Sequence, residues 1–289
     1  MAQTNPETAI LLIHAPDQQG LVAAVSGFIA RRGGNVVSLD QHVDAHTGVF
    51  FMRVEWQLSG FAVAPEALPD VIGRELAEPM GMAWQLHFSD QRPRLAVFVS
   101  KLPHCLYDIL SRWQSGEWRV DIPLIISNHE TLRPVAEQFG IPFHCFPITA
   151  DNKADQERRE LELLQEHAVD LVVLARYMQI VSPVLVEAFP ERMINIHHSF
   201  LPAFAGAKPY HAAHERGVKI IGATSHYVTE DLDAGPIIDQ DVSAISHRDA
   251  VEDLIRKGRD LEKIVLARAV WSHLQRNVLC YGNRTVVFD

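Results

Sequence analysis

The chain has 289 residues, of which 47% are hydrophobic and 21% charged, the mix of a globular protein with room for two domains of ordinary size. Its formal net charge of -10 argues against DNA or tRNA as a partner, because phosphate recognition demands a basic surface. Cys105, Cys145 and Cys280 are far apart and odd in number, and no C-x-x-C pair occurs, which argues against a disulfide framework and a zinc ribbon. The start Met1-Ala2-Gln3-Thr4-Asn5-Pro6-Glu7 lacks a basic, apolar leader, and no apolar run reaches the roughly 18 residues of a membrane span, so the expectation is a cytoplasmic protein.

In chain order, Ala9 to His14 reads as a strand, followed by Asp17-Gln18-Gln19-Gly20-Leu21-Val22 and an amphipathic helix pattern that runs to about Arg32. Gly33-Gly34-Asn35 stops that helix, since these residues tolerate the left-handed conformation. Val36 to Asp44 and Val49 to Leu58 are strands about a turn, Pro65 to Gly81 fits a second helix, and Met82 to Ser89 a fourth strand. The order β-α-β-β-α-β is ferredoxin-like. The polar stretch Ser89 to Pro93 marks the boundary, giving domains 1-90 and 91-289. Beyond it strands and helices alternate. Strands are predicted over 95–100, 120–127, 142–146, 171–174 and 193–196, and helices over 106–113, 130–139 and 154–166. This alternation predicts a doubly wound, mostly parallel α/β sheet. Ile220 to Val228 and Pro236 to Val242 are longer strands suited to pair as neighbours. Arg248 to Leu274 reads as a long helix before a partly apolar tail, Val278 to Phe288.

Two stretches carry candidate chemistry. In Asn195-Ile196-His197-His198-Ser199-Phe200-Leu201-Pro202, Asn195 and His197 stand two apart and so share one face at the carboxyl end of a strand, where open α/β sheets bind ligands. An amide can hydrogen-bond a carbonyl oxygen, and an imidazole can move a proton or, when charged, stabilise an oxyanion. A turn-capping asparagine and a buried polar histidine fit the same spacing equally well. His226-Tyr227-Val228-Thr229-Glu230-Asp231-Leu232-Asp233-Ala234-Gly235-Pro236 gathers three acids before a glycine-proline turn. One acid folded back on His197 would orient it, but spacing does not say which, and a solvated acidic loop is the commoner meaning of such a run.

Together these stretches resemble the formyltetrahydrofolate-dependent formyl transferase and hydrolase family over about 95 to 250: Asn-x-His, Ser-x-Leu-Pro, then His-x-Val-Thr and Leu-Asp-x-Gly-Pro about thirty residues later. The family includes glycinamide ribonucleotide transformylase, methionyl-tRNA formyltransferase and formyltetrahydrofolate deformylase. The resemblance implies that Asn195, His197 and Asp233 are catalytic, with His226 and Thr229 beside the substrate. It implies that Arg176-Tyr177-Met178-Gln179-Ile180-Val181-Ser182-Pro183 meets the folate, chiefly through the backbone of Met178, Gln179, Ile180 and Val181. The side chains of Met178, Trp113 and Trp118 read as core, and Cys105 as a structural, partly buried thiol.

The deformylase branch fits best. Ser100-Lys101-Leu102-Pro103-His104-Cys105-Leu106 stands where the transformylase has a phosphate-cradling loop, and Pro103 removes one amide from it. His104 is placed at the substrate site. Asp121-Ile122-Pro123, Ile126-Ser127-Asn128-His129, Phe204-Ala205-Gly206-Ala207-Lys208-Pro209-Tyr210-His211 and Tyr281-Gly282-Asn283-Arg284-Thr285 resemble deformylase segments too. The first domain, with Asp17-x-x-Gly20-Leu21-Val22 between strand and helix, resembles an ACT domain. A plain helix entry fits the same residues, Asp17 favouring the helix dipole and Gly20 close packing.

The resemblance implies hydrolysis of 10-formyltetrahydrofolate to tetrahydrofolate and formate, which supplies formate for purine biosynthesis and balances one-carbon pools. The alternative is formyl transfer to an amine. It further implies no cofactor, a small amino-acid effector (glycine or methionine) at Asp17, Gly20, Leu21 and Val22, and a homotetramer. His211 with His214, and His42 with His46, have helical metal spacings but no third ligand, so no metal is expected.

Overall fold

The computed structural model describes residues 7–202 and 209–288, which form two compact units. The first gathers the chain up to Arg92 with Arg276–Leu279 and the stretch from Val286 on. The second gathers Pro93–Gln275 with Cys280–Thr285. The expected boundary falls two residues earlier, and the expectation assigned all of 91–289 to the second domain. The closing stretches group with the first unit because Arg53 Nε donates to the Arg276 carbonyl at 3.1 Å and Phe288 is buried.

In the first unit β1 (Thr8–Pro16), α1 (Leu21–Arg31), β2 (Asn35–Asp44), β3 (Val49–Gln57), α2 (Leu68–Ile72), α3 (Glu78–Met80) and β4 (Ala83–Phe88) follow in order. The strands form an antiparallel sheet ordered β2-β3-β1-β4, the ferredoxin-like arrangement. Alternate residues of β1 and β3, such as Leu11, Ile13, Met52, Val54 and Trp56, meet Val25, Phe28 and Ile29 of α1 in one core. α1 ends where the sequence stops it. Gly33, at φ +76°, lets its N–H reach the Ala30 carbonyl and the Gly34 N–H reach that of Ile29, which satisfies carbonyls the helix leaves over. The helix expected over Pro65 to Gly81 is present as one continuous helical run that changes its winding and ends at left-handed Gly81. Pro65–Ala67 is a 3-10 turn, Pro69 opens α2, and Pro79 opens α3 after a wide π turn at Gly73–Ala77. A proline lacks the N–H that a uniform ladder needs.

The second unit runs β5 (Arg94–Val99), α4 (His104–Gln114), β6 (Asp121–Ser127), α5 (Arg133–Gln138), β7 (Phe143–Cys145), α6 (Lys153–Glu166), β8 (Leu171–Leu174), α7 (Pro183–Ala188), β9 (Met193–His197), α8 (Pro209–Arg216), β10 (Ile220–Tyr227), β11 (Ile237–Ala244) and α9 (Val251–Leu274). A short hairpin, β12 (Val278–Tyr281) with β13 (Arg284–Val287), closes the chain. The seven-stranded sheet is ordered β11-β10-β9-β8-β5-β6-β7. Its strands from β9 to β7 are parallel, and their continuous apolar runs are buried on both faces, with Phe98, Ile126 and Leu174 on one and Val97, Ile125 and Val173 on the other. β10 pairs antiparallel with both β9 and β11, as their adjacent apolar runs suggest. From β5 the chain steps outward to β6 and β7, then returns to β8 on the other side. This reversal opens a crevice beyond the carboxyl ends of β5 and β8, where ligands bind in such sheets. The short α7 and α8 had no clear signal in the sequence. Among the described residues no helix is long and apolar enough to cross a membrane.

Candidate active site

The last residues of β9 supply Asn195 and His197 on one face of the sheet. Asn195 lies opposite His226 in the antiparallel ladder with β10, so both side chains share that face, and beside Leu174 in the parallel ladder with β8. His226 Nδ1 stands 2.8 Å from the Tyr227 carbonyl, an acceptor only, so Nδ1 carries the proton. Its Nε2 is then free to accept, and Asn195 Nδ2 donates to it at 3.3 Å. Among the described residues, one amide proton and the side-chain oxygen of Asn195 are left for a substrate.

His197 is buried, with Nδ1 3.1 Å from Asp233 Oδ2. A carboxylate accepts, so Nδ1 donates and the opposite nitrogen, Nε2, is the working atom. Nε2 is buried and has no hydrogen-bond partner among the described residues. The other Asp233 oxygen lies 3.7 Å from His226 Nε2. The hydrogen bond from His197 holds the Asp233 carboxyl well below the usual carboxylate range despite partial burial, so it is ionised at any working pH. His198, against His197 at 5.0 Å between ring centroids, is pushed down to about 4 by burial and by Arg176 and His197, so it is neutral at pH 7.

The loop between β10 and β11 selects Asp233 among the three acids. Glu230 and Asp231 are exposed, while Asp233 is half-buried and in the left-handed region at φ 54°. The Tyr227 N–H donates to the Pro236 carbonyl and closes the turn. A Cβ on Gly235 would stand 1.9 Å from the Tyr227 carbonyl oxygen, so only glycine fits. Thr229 donates its hydroxyl proton to the Asp231 carbonyl, and Asn283 Nδ2 donates to the Ala234 carbonyl at 2.8 Å. Thr229 thus shapes the acid loop, as does a tail residue that carries no chemical signature in the sequence.

A second buried group lies at the same end of the sheet. Glu262 of α9, 1% exposed, accepts from Tyr210 Oη at 2.7 Å and pairs with His104 Nε2 at 2.7 Å and Arg176 Nε at 3.3 Å. His104 opens α4 after β5, and Arg176 follows β8, so both flank the crevice. Tyr210 packs on His198, with ring centroids 6.2 Å apart, and Gly258 makes room for it, since a Cβ there would meet Tyr210 Oη at 2.1 Å. Glu262 holds the pairing role for His104 that no sequence motif revealed. Its one signal is an acid placed between the apolar positions of α9. His104, Cys105 and Glu262 place potential ligand atoms within 4.8 Å of one another. Glu262 is already engaged by Arg176, the His104 imidazole and a hydroxyl, and burial pushes the Cys105 thiol up, which opposes thiolate ligation.

Met178, Gln179, Ile180 and Val181 form the segment after β8, with Met178 54% and Ile180 59% exposed. The reading of Met178 as core is therefore corrected: Tyr177 turns inward in its place, edge-on to Phe98. Trp118 is buried as expected, and half-buried Trp113 donates to the Val120 carbonyl. In the first unit Asp17, Gly20 and Val22 are exposed and Gly20 has φ +93°, whereas Leu21 packs into the core. His42, His46, His211 and His214 are exposed. Residues 204–208 of the Phe204-to-His211 segment lie outside the described residues.

Known proteins carry the same pattern. A family model described as formyl transferase matches residues 93–270, and one described as ACT domain matches 9–55. A Synechocystis protein named formyltetrahydrofolate deformylase is 61% identical over 282 residues, 97% of this chain and 98% of that relative. The chain belongs to the formyltetrahydrofolate deformylase family. A crystal structure of a family member from Pseudomonas syringae pv. tomato superposes with a TM-score of 0.96 at 45% identity, covering 100% of this chain and 96% of that one. Glycinamide ribonucleotide transformylase 1 from Symbiobacterium toebii matches with a TM-score of 0.66 at 32% identity, covering 71% of this chain and 98% of that one. The transformylase is matched almost whole, while more than a quarter of this family member has no counterpart in it.

Proposed function

We propose that this chain hydrolyses 10-formyltetrahydrofolate to tetrahydrofolate and formate at Asn195, His197 and Asp233, supplying formate for purine biosynthesis and balancing one-carbon pools. The observation that carries the residue assignment is the ordered pair: Asp233 accepts the hydrogen bond of His197 Nδ1–H, which leaves a buried Nε2 on the face it shares with Asn195.

Water attacks the formyl carbon while Asn195 donates to the formyl oxygen. A carboxylate as strongly stabilised as Asp233 is a weak base by itself, so the proton leaving water rests on the His197–Asp233 pair, at Nε2. The imidazolium then faces the tetrahedral oxyanion. Each such donor contributes roughly 3–4 kcal/mol to the transition state. As the C–N10 bond breaks, the proton passes to N10, formic acid gives up the second proton of the water to solvent, and formate and tetrahydrofolate leave. No metal or cofactor enters this scheme, in which folate is the substrate. Met178 to Val181 and His104 border the crevice where the substrate enters, and His226 and Thr229 act through Asn195 and the acid loop.

Formate release from 10-formyltetrahydrofolate, assayed without and then with glycinamide ribonucleotide, tests this reading. Formate forms at the same rate in both. Formylated nucleotide made at a rate comparable with formate release would replace the hydrolase by a transferase.

The reading extends to a cytoplasmic homotetramer in which the ACT domain takes glycine or methionine around Asp17, Gly20, Leu21 and Val22. Leu21 would contribute backbone only, since its side chain is in the core. Light scattering and calorimetric titration of both amino acids check this. The absence of binding heat would leave the domain without a sensing role.

A further inference from the structure

α6 turns an unusual face inward. Glu157, Glu160 and Leu164 stand three and four residues apart on it and all are buried, Glu160 completely and Glu157 to 5% exposure. Carboxyl groups seldom occupy such positions, because removal from water must be offset by specific partners. Here the partners belong to one segment, the chain from Tyr177 to Ser182 that follows β8. Tyr177 Oη donates to Glu160 Oε1 at 3.2 Å, and the Ser182 N–H donates to Glu157 Oε1 at 3.1 Å. Between them the Met178 N–H donates to Ser100 Oγ at 2.9 Å, and Ser100 in turn donates to Asn128 Oδ1 at 2.7 Å. The segment's first and last residues are therefore tied to one helix, while its middle presents Met178 and Ile180 to solvent.

The place of this segment gives the anchoring a use. Leu174 pairs with Asn195, so the chain leaving β8 runs beside the catalytic end of β9, at the crevice where the sheet reverses direction. Exposed apolar side chains on a tightly held backbone suit a flat, fused-ring ligand with amide-like edges. We propose that Glu157 and Glu160 are positioning residues, which hold the Tyr177–Ser182 segment in the shape that receives the fused ring of the substrate. The inference rests on the proposed function, in which Met178 to Val181 meet the folate. Neither glutamate touches the substrate. Each removes conformational freedom that binding would otherwise have to remove.

The arrangement responds to pH. Burial pushes the Glu160 carboxyl up to about 7, the Tyr177 hydrogen bond opposes this, and the charge of Glu157 adds to it, with Lys153 the facing cation. Lys153 itself lies 3.7 Å from Glu157. Ionisation of Glu160 above neutrality leaves a charge shut away from water and one helical turn from Glu157, so opening of the segment, which lets water reach that charge, becomes easier.

Hydrogen exchange over residues 176–183, together with kcat and KM at pH 6 and pH 8, tests the proposal in Glu160→Ala, Glu160→Gln and Glu157→Gln. In Glu160→Ala, exchange of the segment rises about tenfold and KM about fivefold, while kcat changes by less than about threefold. Glu160→Gln keeps an oxygen for Tyr177, so it restores both and abolishes the rise of KM between pH 6 and pH 8 expected of the wild type. Glu157→Gln also keeps an oxygen for Ser182 and behaves like the wild type at pH 6. Unchanged exchange in Glu160→Ala would overturn the anchoring. Raised exchange with an unchanged KM would overturn the inference differently, by removing the segment from the substrate site. Should Glu160→Ala not fold, a Glu160→Gln enzyme whose KM keeps the wild-type pH dependence would refute the role of Glu160.

Discussion

Replacing Asp233 by asparagine keeps the shape of the side chain and removes its charge. In the wild type one carboxylate oxygen accepts from His197 Nδ1 at 3.1 Å, and the other lies 3.7 Å from His226 Nε2. An amide has one acceptor and one donor. Where its nitrogen faces His197, Nδ1 must accept, the imidazole proton moves to Nε2, and the atom meant to take the proton from water is blocked. Where its oxygen faces His197, the tautomer survives but no negative charge stabilises the imidazolium. Either way the loss falls on the transition state. Losses of about 10³–10⁴ in kcat follow the same substitution in other His–Asp pairs, which corresponds to about 4–5.5 kcal/mol. Ground-state folate binding uses neither charge, so the affinity holds within about threefold. Formate release under saturating substrate and calorimetric titration of the slow variant measure the two quantities separately. Turnover within tenfold of wild type would refute the reasoning, and so would affinity lost in step with turnover.

Gly235→Ala puts a Cβ 1.9 Å from the Tyr227 carbonyl oxygen, so we expect a loss of at least about 2 kcal/mol in stability, read by denaturant titration, together with loss of turnover; an unchanged midpoint would show that the loop can give way. Asn283→Ala removes one neutral hydrogen bond to the Asp233 loop, worth about 1 kcal/mol, and should lower kcat about fivefold with folate binding intact. Unaltered kcat would relieve Asn283 of any part in holding the acid. For Glu160 the folded carboxyl lies above its ordinary 4.5, at about 7, so the stability it contributes is present below pH 4.5 and is lost as pH rises through 7. At about 1.36 kcal/mol per pH unit this interval amounts to about 3 kcal/mol, and Glu160→Gln should flatten that part of the stability profile between pH 5 and pH 8.

What the sequence determined by itself is what short-range periodicity encodes. Alternation along β1 and β3, the helical period of α1 and α9, and the glycine stop at Gly33-Gly34 follow from local geometry, and they delivered the β-α-β-β-α-β unit and the α/β alternation after it. The common face of Asn195 and His197 is equally local, since residues two apart on a strand point the same way. The tertiary structure decided whatever depends on partners distant in the chain. Three acids precede Gly235-Pro236, and Asp233 reaches His197 because the loop is closed by Tyr227 and Pro236, admits only glycine at 235, and is braced by Asn283. Met178 and Tyr177 are both large and apolar in the sequence, yet Tyr177 turns inward because Glu160, seventeen residues earlier, offers its hydroxyl a buried acceptor. The helix expected over Pro65 to Gly81 forms without a gap, but with prolines at 65, 69 and 79 its winding passes from 3-10 through α to π, a local effect that periodicity alone conceals. Glu157, Glu160 and Glu262 look like ordinary helix-surface acids until the fold buries them. A buried carboxyl is tolerated only where the chain brings donors to it, and those donors lie on other elements, so no window along the sequence contains both halves of the interaction.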